Sequence, residues 1–193
     1  MKDLSKFNKT YMSTNSMLRA GFHTRDIKSL LSEGKIIQLR RGIYRLSDVK
    51  LVSNQGFIDI SQAVPKGIIC LLSALEYHGL TTANPTVVSV AIPRSVRMPK
   101  ILFPPASLYY FSPKQYREGI EKISINGYQV KIYGAEKTIC DCFRYKNKLG
   151  LDVAKEGLKE YLKRKNRDLP LLLRYAKICR VAPLIKTWLN ALV

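Results

Sequence analysis

The sequence predicts an α+β protein of two domains, residues 1–48 and residues 49–193. Two short helical patterns, followed at once by an alternating apolar ribbon, occupy the first domain. Strand-like runs then mix with helical ones, and helical spacing dominates the last third of the chain. With 193 residues, 46% of them apolar, the chain is long enough to bury a core in each domain.

Turn and cap residues divide the first domain into short elements. Residues 4–11 are weakly helical, and Thr14 is a suitable N-cap for a helix that continues to Ala20. Thr24 is expected to cap a second helix, which ends near Gly34 because glycine is common just after a helix C-terminus. The sequence therefore predicts two helices separated by a short turn.

The stretch EGKIIQLRRGIYRLSD, residues 33–48, follows as a two-stranded hairpin. Its bend carries Arg40, Arg41 and Gly42, and the glycine can adopt the positive φ that such a bend often requires. Helix, turn, helix and two-stranded wing is the element order of a winged helix-turn-helix. Adjacent arginines repel each other, so their position at the bend suggests a negatively charged partner.

The second helix has two chemically different faces. Its apolar side chains, Ile27, Leu30 and Leu31, fall on one side at 100° per residue, while Arg25, Lys28, Ser29 and Ser32 share the other. Cations and hydroxyls suit phosphates and base edges in a major groove, although a solvated face is the simpler alternative. The candidate DNA-binding residues are Thr24, Arg25, Lys28, Ser29, Ser32, Arg40 and Arg41.

The charge balance also favours an acidic partner. The chain has 33 Lys and Arg against 14 Asp and Glu, a formal net charge of +19. Nucleic acid is the first expectation. A membrane is not expected, because no apolar run approaches the ~20 residues that span a bilayer. With no export signal, and with four cysteines in apolar helical patterns, the protein is expected to be cytoplasmic with free thiols.

The second domain alternates helical and strand-like segments. FIDISQAV and GIICLLSALEYHG are helical patterns, whereas TVVSVAI (86–92) and SLYYF (107–111) are strand-like. ISINGYQVKIY predicts a hairpin with a type I′ turn at Asn126-Gly127. Helices are then expected over GAEKTICDCFRYKNK, LDVAKEGLKEYLKRKN, 169–179 and 183–192. This order predicts a mixed α/β domain that ends in helices.

Three lysines line one side of the LDVAKEGLKEYLKRKN helix. Lys155, Lys159 and Lys163 follow each other at intervals of four, so they form an exposed stripe that could contact DNA or a second subunit. Glu156 lies at helical spacing from Lys159 and Lys163, so pairing with it would account for part of this charge.

The sequence offers little for catalysis. Cys140 and Cys142 point about 200° apart on a helix and cannot share one metal ion, so no metal is expected. The sequence has no Gly-rich phosphate loop, and no cofactor is expected. Asp141 stands at helical spacing from Lys137, which favours an ion pair on the helix surface; the alternative is a polar contact that fixes the domain or its partner surface. A nuclease-like metal pair of Glu76 and Asp141 is the enzymatic alternative. We expect no enzyme.

Three stretches resemble the AbiEi family of antitoxins from type IV toxin–antitoxin systems, which act in abortive phage infection. They are TRDIKSLLSEGKIIQLRRGIYRL, CLLSALEYHGLT and IYGAEKTICDCFRYKNKLGLDVAKEGLKEYL, and the EKT-x-x-D-C-F-R block with KLGLDVA is the most specific of them. The resemblance implies a winged helix-turn-helix followed by an antitoxin domain. By match to the family, Arg25, Lys28, Arg40 and Arg41 would contact DNA.

The resemblance also implies partners. Such a protein would repress its own operon by binding inverted repeats in the promoter, and would neutralise a companion nucleotidyltransferase-like toxin, with or without direct contact. Basic residues of the C-terminal domain, here matched loosely to Lys155, Lys159 and Lys163, would support a dimer on DNA. The alternative is a stand-alone winged-helix repressor with no antitoxin role.

Overall fold

The computed structural model describes residues 10–97 and 99–192 of the chain. Those residues form a mixed α/β structure with ten helices and two sheets. Most of the helix predicted over residues 4–11 lies outside the described part. Tyr11, at the end of that prediction, belongs to a strand.

Residues 10–48, here called the front part, contain a small antiparallel sheet and two helices. The strands are β1 (Tyr11–Ser13), β2 (Ile36–Arg40) and β3 (Ile43–Leu46), in the order β1-β3-β2. The helices, α1 (Thr14–Arg19) and α2 (Thr24–Ser32), precede the β2–β3 hairpin. Met17, Phe22, Ile27 and Tyr44 share one buried cluster, so both helices and the hairpin close a single small core.

Both helices of the front part begin one residue earlier than predicted. Ser13 caps α1, because this residue still has extended backbone and its Oγ accepts a hydrogen bond from the backbone N–H of Ser16. Thr24 is already the first residue of α2, and the preceding residue, His23, is the N-cap. The carboxylate of Asp26 accepts the backbone N–H of His23 at 2.7 Å, which stabilises this start.

The glycines of the front part agree with the prediction. Gly34 follows the C-cap of α2 with φ +68°, and Gly42 turns the β2–β3 hairpin with φ +79°. Side chains with a Cβ rarely adopt such values, so both turns depend on glycine.

The second sheet has five strands in the order β6-β5-β4-β8-β7. They are β4 (Ile68–Ile69), β5 (Val88–Pro93), β6 (Ala106–Phe111), β7 (Ile120–Ile125) and β8 (Tyr128–Tyr133). The pairs β5–β6 and β4–β8 are parallel, and the other two are antiparallel. The β7–β8 hairpin turns at Asn126 and Gly127, both with positive φ, as predicted.

Strand β4 corrects the prediction of a continuous helix through GIICLLSALEYHG. Ile68 and Ile69 are fully buried and fill the gap between β5 and β8, and the helix starts only after Cys70. The strand is more favourable than the predicted helix for these two β-branched residues, because both faces of the sheet are covered and bury their side chains.

Helices cover both faces of this sheet. One face packs on α3 (Gln55–Ala63), and the other packs on a larger group of helices. That group includes α4 (Leu71–Tyr77), α6 (Ala135–Arg144), α8 (Leu151–Leu162), α9 (Leu169–Ile178) and α10 (Ala182–Leu192). The short helix α5 (Pro113–Arg117) was not predicted. The helix expected over GAEKTICDCFRYKNK is interrupted at Tyr145, so its last residues form a separate short helix, α7 (Lys146–Leu149).

The front part packs directly on the rest of the chain. Leu39 of β2 is fully buried with Ala63 and Ile92, and its carbonyl oxygen accepts the backbone N–H of Leu102 at 2.8 Å. Asp59 of α3 lies 3.4 Å from the guanidinium of Arg45 in β3. The domain boundary at residue 48 remains a prediction, since a packed interface joins the residues on its two sides.

Helix α6 lies at the centre of the larger core, which corrects the expected surface ion pair. Lys137 and Asp141 are both fully buried, with Nζ 2.5 Å from Oδ2. The ammonium also lies 4.3 Å from the ring centroid of Tyr133 and 5.0 Å from that of Phe111. Cys179 donates from Sγ to the other carboxylate oxygen at 3.2 Å. Burial raises the pKa of Asp141, against the opposing effect of the Lys137 charge.

Replacing one partner of this pair should strongly destabilise the protein. Lys137→Met leaves the Asp141 carboxylate buried without a counter-charge, which should lower the free energy of unfolding by about 3–5 kcal/mol. Lys137→Met combined with Asp141→Leu should lose less, because neither charge then remains. Urea unfolding of both variants, with Lys159→Met of the exposed side of α8 as the control, measures this. A Lys137→Met variant as stable as the control would contradict the account.

Candidate nucleic-acid interface

Helix α2 has its apolar face buried and its polar face in solvent. Ile27 and Leu30 are 4% and 5% exposed within the front core, and Leu31 is half-buried beside them. The opposite side, here called the outer face of α2, consists of the exposed residues Arg25, Lys28, Ser29 and Ser32. This is the division that the spacing predicted. Thr24 is also exposed, but as the first helical residue and not as the cap.

The cations and the hydroxyls of the outer face differ in whether they already have a partner among the described residues. Among the described residues, Arg25 and Lys28 belong to none of the ion pairs. Ser29 donates to Glu33 Oε1 at 2.6 Å, and Ser32 donates to the carbonyl oxygen of Ser29 at 2.9 Å. The two cations are therefore the groups most directly available to an anionic ligand.

A carboxylate borders the outer face, which the sequence argument did not consider. Glu33 lies 2.6 Å from Lys35 Nζ and accepts the hydroxyl of Ser29. These two hydrogen bonds, that of Lys35 first, lower the pKa of Glu33. A phosphate approaching Ser29 would meet this negative charge, so Arg25 and Lys28 offer the more favourable approach.

The two arginines of the hairpin point to different surroundings. Arg41 is exposed, whereas Arg40 is half-buried and donates from Nη1 to the Arg41 carbonyl oxygen at 3.3 Å. Arg40 also lines a cavity of about 300 Å³ together with Lys66 and Arg97 from the second part of the chain. The two arginines, which have the same predicted role, therefore differ in the structure, and one of them lies beside residues beyond 48.

The predicted lysine stripe on α8 is only partly a free cationic surface. Lys155 is half-buried, lies 3.2 Å from Asp152 and has Nζ 4.5 Å from the Trp188 ring. Lys163 pairs with Glu160 at 2.6 Å, whereas Lys159 is exposed and takes part in none of the ion pairs of the described residues.

Glu156 does not neutralise the lysine stripe, contrary to the expectation. Its carboxylate accepts the backbone N–H and the hydroxyl of Thr82 and the hydroxyl of Thr81. The hydrogen bond from the Thr82 backbone contributes most to a lowered pKa of Glu156. This carboxylate fixes the segment after α4 against α8.

The groups considered for catalysis serve the core. Both carboxylate oxygens of Asp141 are engaged inside the protein, by Lys137 and by Cys179, so this residue cannot present a metal-binding carboxylate to a substrate. All four cysteines are buried, and burial raises the pKa of each thiol. His78 has Nε2 2.8 Å from the Tyr133 carbonyl oxygen, in agreement with a structural role.

In residues 10–97 and 99–192, His, Cys, Asp and Glu side chains do not gather in threes or more at a spacing that would suit a metal ion. Within the same ranges, none of the helices combines the length and the apolar character needed to cross a bilayer.

Comparisons with known proteins bear on the fold alone. No family model and no curated protein matches the chain. Among solved structures, the crystal structure of the Rv2827c protein from Mycobacterium tuberculosis is similar, with a TM-score of 0.56 and 12% sequence identity. The match covers 97% of this chain and 78% of that one. The mixed α/β architecture therefore occurs, over almost the whole length of this chain, in an experimentally determined structure.

Proposed function

We propose that the protein is a DNA-binding antitoxin of the AbiEi type, which represses its own operon and neutralises a nucleotidyltransferase-like toxin. The front part acts as a winged helix-turn-helix, with α2 as the recognition helix and the β2–β3 hairpin as the wing. The proposed partner is double-stranded DNA with inverted repeats, on which two copies bind.

One observation carries the DNA-binding proposal. The exposed face of α2 presents Arg25 and Lys28 without counter-ions among the described residues, while the apolar face of the helix is buried in the front core. A helix fixed on one side and cationic on the other suits entry into a major groove. Arg41, exposed at the hairpin bend, suits contact with the neighbouring phosphates. The net charge of +19 supports the same partner.

The antitoxin role rests on the resemblance in the EKT-x-x-D-C-F-R block. That block lies in α6, where Lys137 and Asp141 form the buried ion pair. Its most distinctive polar residues therefore build the core of the second part and do not face a partner. We infer that the neutralising surface uses residues outside this block.

Loss of both cations of α2 should reduce sequence-specific binding. Arg25→Ala with Lys28→Ala should weaken binding to an inverted repeat upstream of the gene by about 1–3 kcal/mol for each lost base contact, and should weaken binding to random duplex less. Fluorescence anisotropy at fixed salt measures both affinities. Lys177→Ala with Lys186→Ala removes the same charge from exposed positions of α9 and α10 and is the matched control. Equal effects of the two pairs would exclude α2 as the recognition helix.

The hairpin arginine should act on all sequences alike. Arg41→Ala removes a phosphate contact, so the slope of log affinity against log salt should decrease by about 0.9, on specific and on random duplex. Binding titrations at several salt concentrations give the slope for the wild type and the variant. An unchanged slope would remove the wing from the docking arrangement.

Co-expression separates the antitoxin from a stand-alone repressor. Expression of the neighbouring gene alone should arrest growth, and co-expression of this protein should restore it. The Arg25→Ala, Lys28→Ala variant should also restore growth, because neutralisation is assigned to the second part of the chain. A toxic neighbour that this protein does not neutralise would favour a repressor without an antitoxin role.

A further inference from the structure

A cavity on the second part of the chain contains three cations that the DNA-binding proposal does not use. It has a volume of about 340 Å³ and lies between the turn after α3, the end of β5 and helix α5. Lys66, Arg94 and Arg117 line it, and all three are exposed. Of the described residues that line it, none is Asp or Glu.

A second cavity, of about 300 Å³, adjoins the first and shares Lys66 with it. Arg40 and Arg97 add two more cations there, and the part of its lining that the structure describes again contains no Asp or Glu. Among the described residues, none of these five cations takes part in an ion pair. Five neighbouring positive charges repel one another, so an anion of several charges is the complementary ligand.

The walls of the first cavity are apolar and well fixed. Pro93, Pro113 and the ring of Tyr116 lie beside the cations. The Tyr116 hydroxyl donates to the carbonyl oxygen of Lys66 at 2.6 Å, which ties helix α5 to the turn that carries this lysine. Burial raises the pKa of Tyr116 further above neutrality. The hydroxyl is a donor at neutral pH, as the ordinary tyrosine pKa of about 10 already requires. A planar ring could therefore lie against a wall that is already formed.

The turn that carries Lys66 has little freedom. Gly67 donates its backbone N–H to the Val64 carbonyl oxygen at 2.7 Å. A Cβ at position 67 would lie 2.8 Å from a Val90 methyl carbon and 2.9 Å from that same carbonyl oxygen. On the opposite side, Val96 donates to the Pro93 carbonyl oxygen at 3.0 Å. The turns at residues 64–67 and 93–96 thus fix the backbone of Lys66 and of Arg94 before any ligand binds.

We propose that these adjoining cavities bind a nucleoside triphosphate. The phosphate chain would contact Lys66, Arg94 and Arg117, and the base would lie against the proline and tyrosine walls. The volumes fall in the range of small-ligand sites, and the combination of several cations with an apolar wall suits a nucleotide. The backbone of a duplex would contact the cations but would leave the proline and tyrosine walls without a partner. The site is independent of the proposed function, because it requires neither DNA nor a toxin.

Titration of the full-length protein with ATP, without divalent cations and at constant ionic strength, tests this inference. Isothermal calorimetry should give saturable 1:1 binding, and amide signals of residues 64–67, 93–97 and 113–117 should shift in ¹H–¹⁵N spectra. Arg94→Ala with Arg117→Ala should weaken ATP binding by about tenfold or more, since charge-assisted hydrogen bonds are lost. Inorganic phosphate should bind more weakly than ATP.

The matched control is again Lys177→Ala with Lys186→Ala, which removes two charges from α9 and α10 and should leave ATP binding unchanged. Equal weakening in both pairs would mean non-specific attraction by the net charge and would overturn the proposal. Shifts confined to residues 24–32 and to Arg41 of the wild type would overturn it too, whatever the stability of the variants. If a DNA duplex shifts the amide signals of the cavity residues and ATP does not, the cations bind nucleic acid and the proposal is wrong.

Discussion

A buried carboxylate, that of Asp59, joins the front part of the chain to α3, the helix that packs on the second sheet. It accepts a hydrogen bond of 2.6 Å from the Tyr11 hydroxyl and lies 3.4 Å from the guanidinium of Arg45. Asp59 and Arg45 are 1% and 3% exposed, so neither charge can be solvated if the other is removed. Burial, followed by the hydrogen bond to Asp59, raises the pKa of Tyr11 far above its ordinary value. This small polar cluster joins α3 to β1 and β3 inside an interface that is otherwise apolar.

The packing of the front part on the second part determines which of its surfaces remain exposed to a partner. The front core takes up the inner face of α2, and the 101–103 segment covers the outer edge of β2 through hydrogen bonds to Leu39. The outer face of α2 and the exposed Arg41 are left in solvent. Arg40, which follows Leu39 in the covered strand, lies instead with Lys66 and Arg97. The packing of β2 against the second part of the chain therefore gives two adjacent arginines different surroundings: Arg41 is in solvent, and Arg40 lines a cationic cavity.

The separation of the two arginines also shows what the sequence could not predict. The two faces of α2 follow from local periodicity, and the positive φ of Gly34, Gly42 and Gly127 follows from the chemistry of turns, so these were predicted correctly. The position of Arg40 depends on residues 66 and 97, which no local pattern connects with the hairpin. The cavity cations were missed for the same reason, because they come from four separate segments.

Two other errors have the same origin in contacts between distant segments. Ile68 and Ile69 form a strand because β5 and β8 flank them, whereas their own sequence continues the helical pattern that follows. Lys137 and Asp141 have the spacing of a surface ion pair, but α4, α8, α9 and α10 surround α6. A charged pair at i, i+4 is exposed or buried according to how many elements pack on its helix. That number is a property of the fold and not of the segment.

The account of function depends most on where a duplex meets the chain. Hydrogen exchange of the full-length protein, with and without a promoter fragment from upstream of its gene, locates that surface without any substitution. The account predicts slower amide exchange across residues 24–32 and around the hairpin bend at 40–42, and little change in α9 and α10. Protection confined to the second part of the chain, with α2 exchanging as in the free protein, would contradict it.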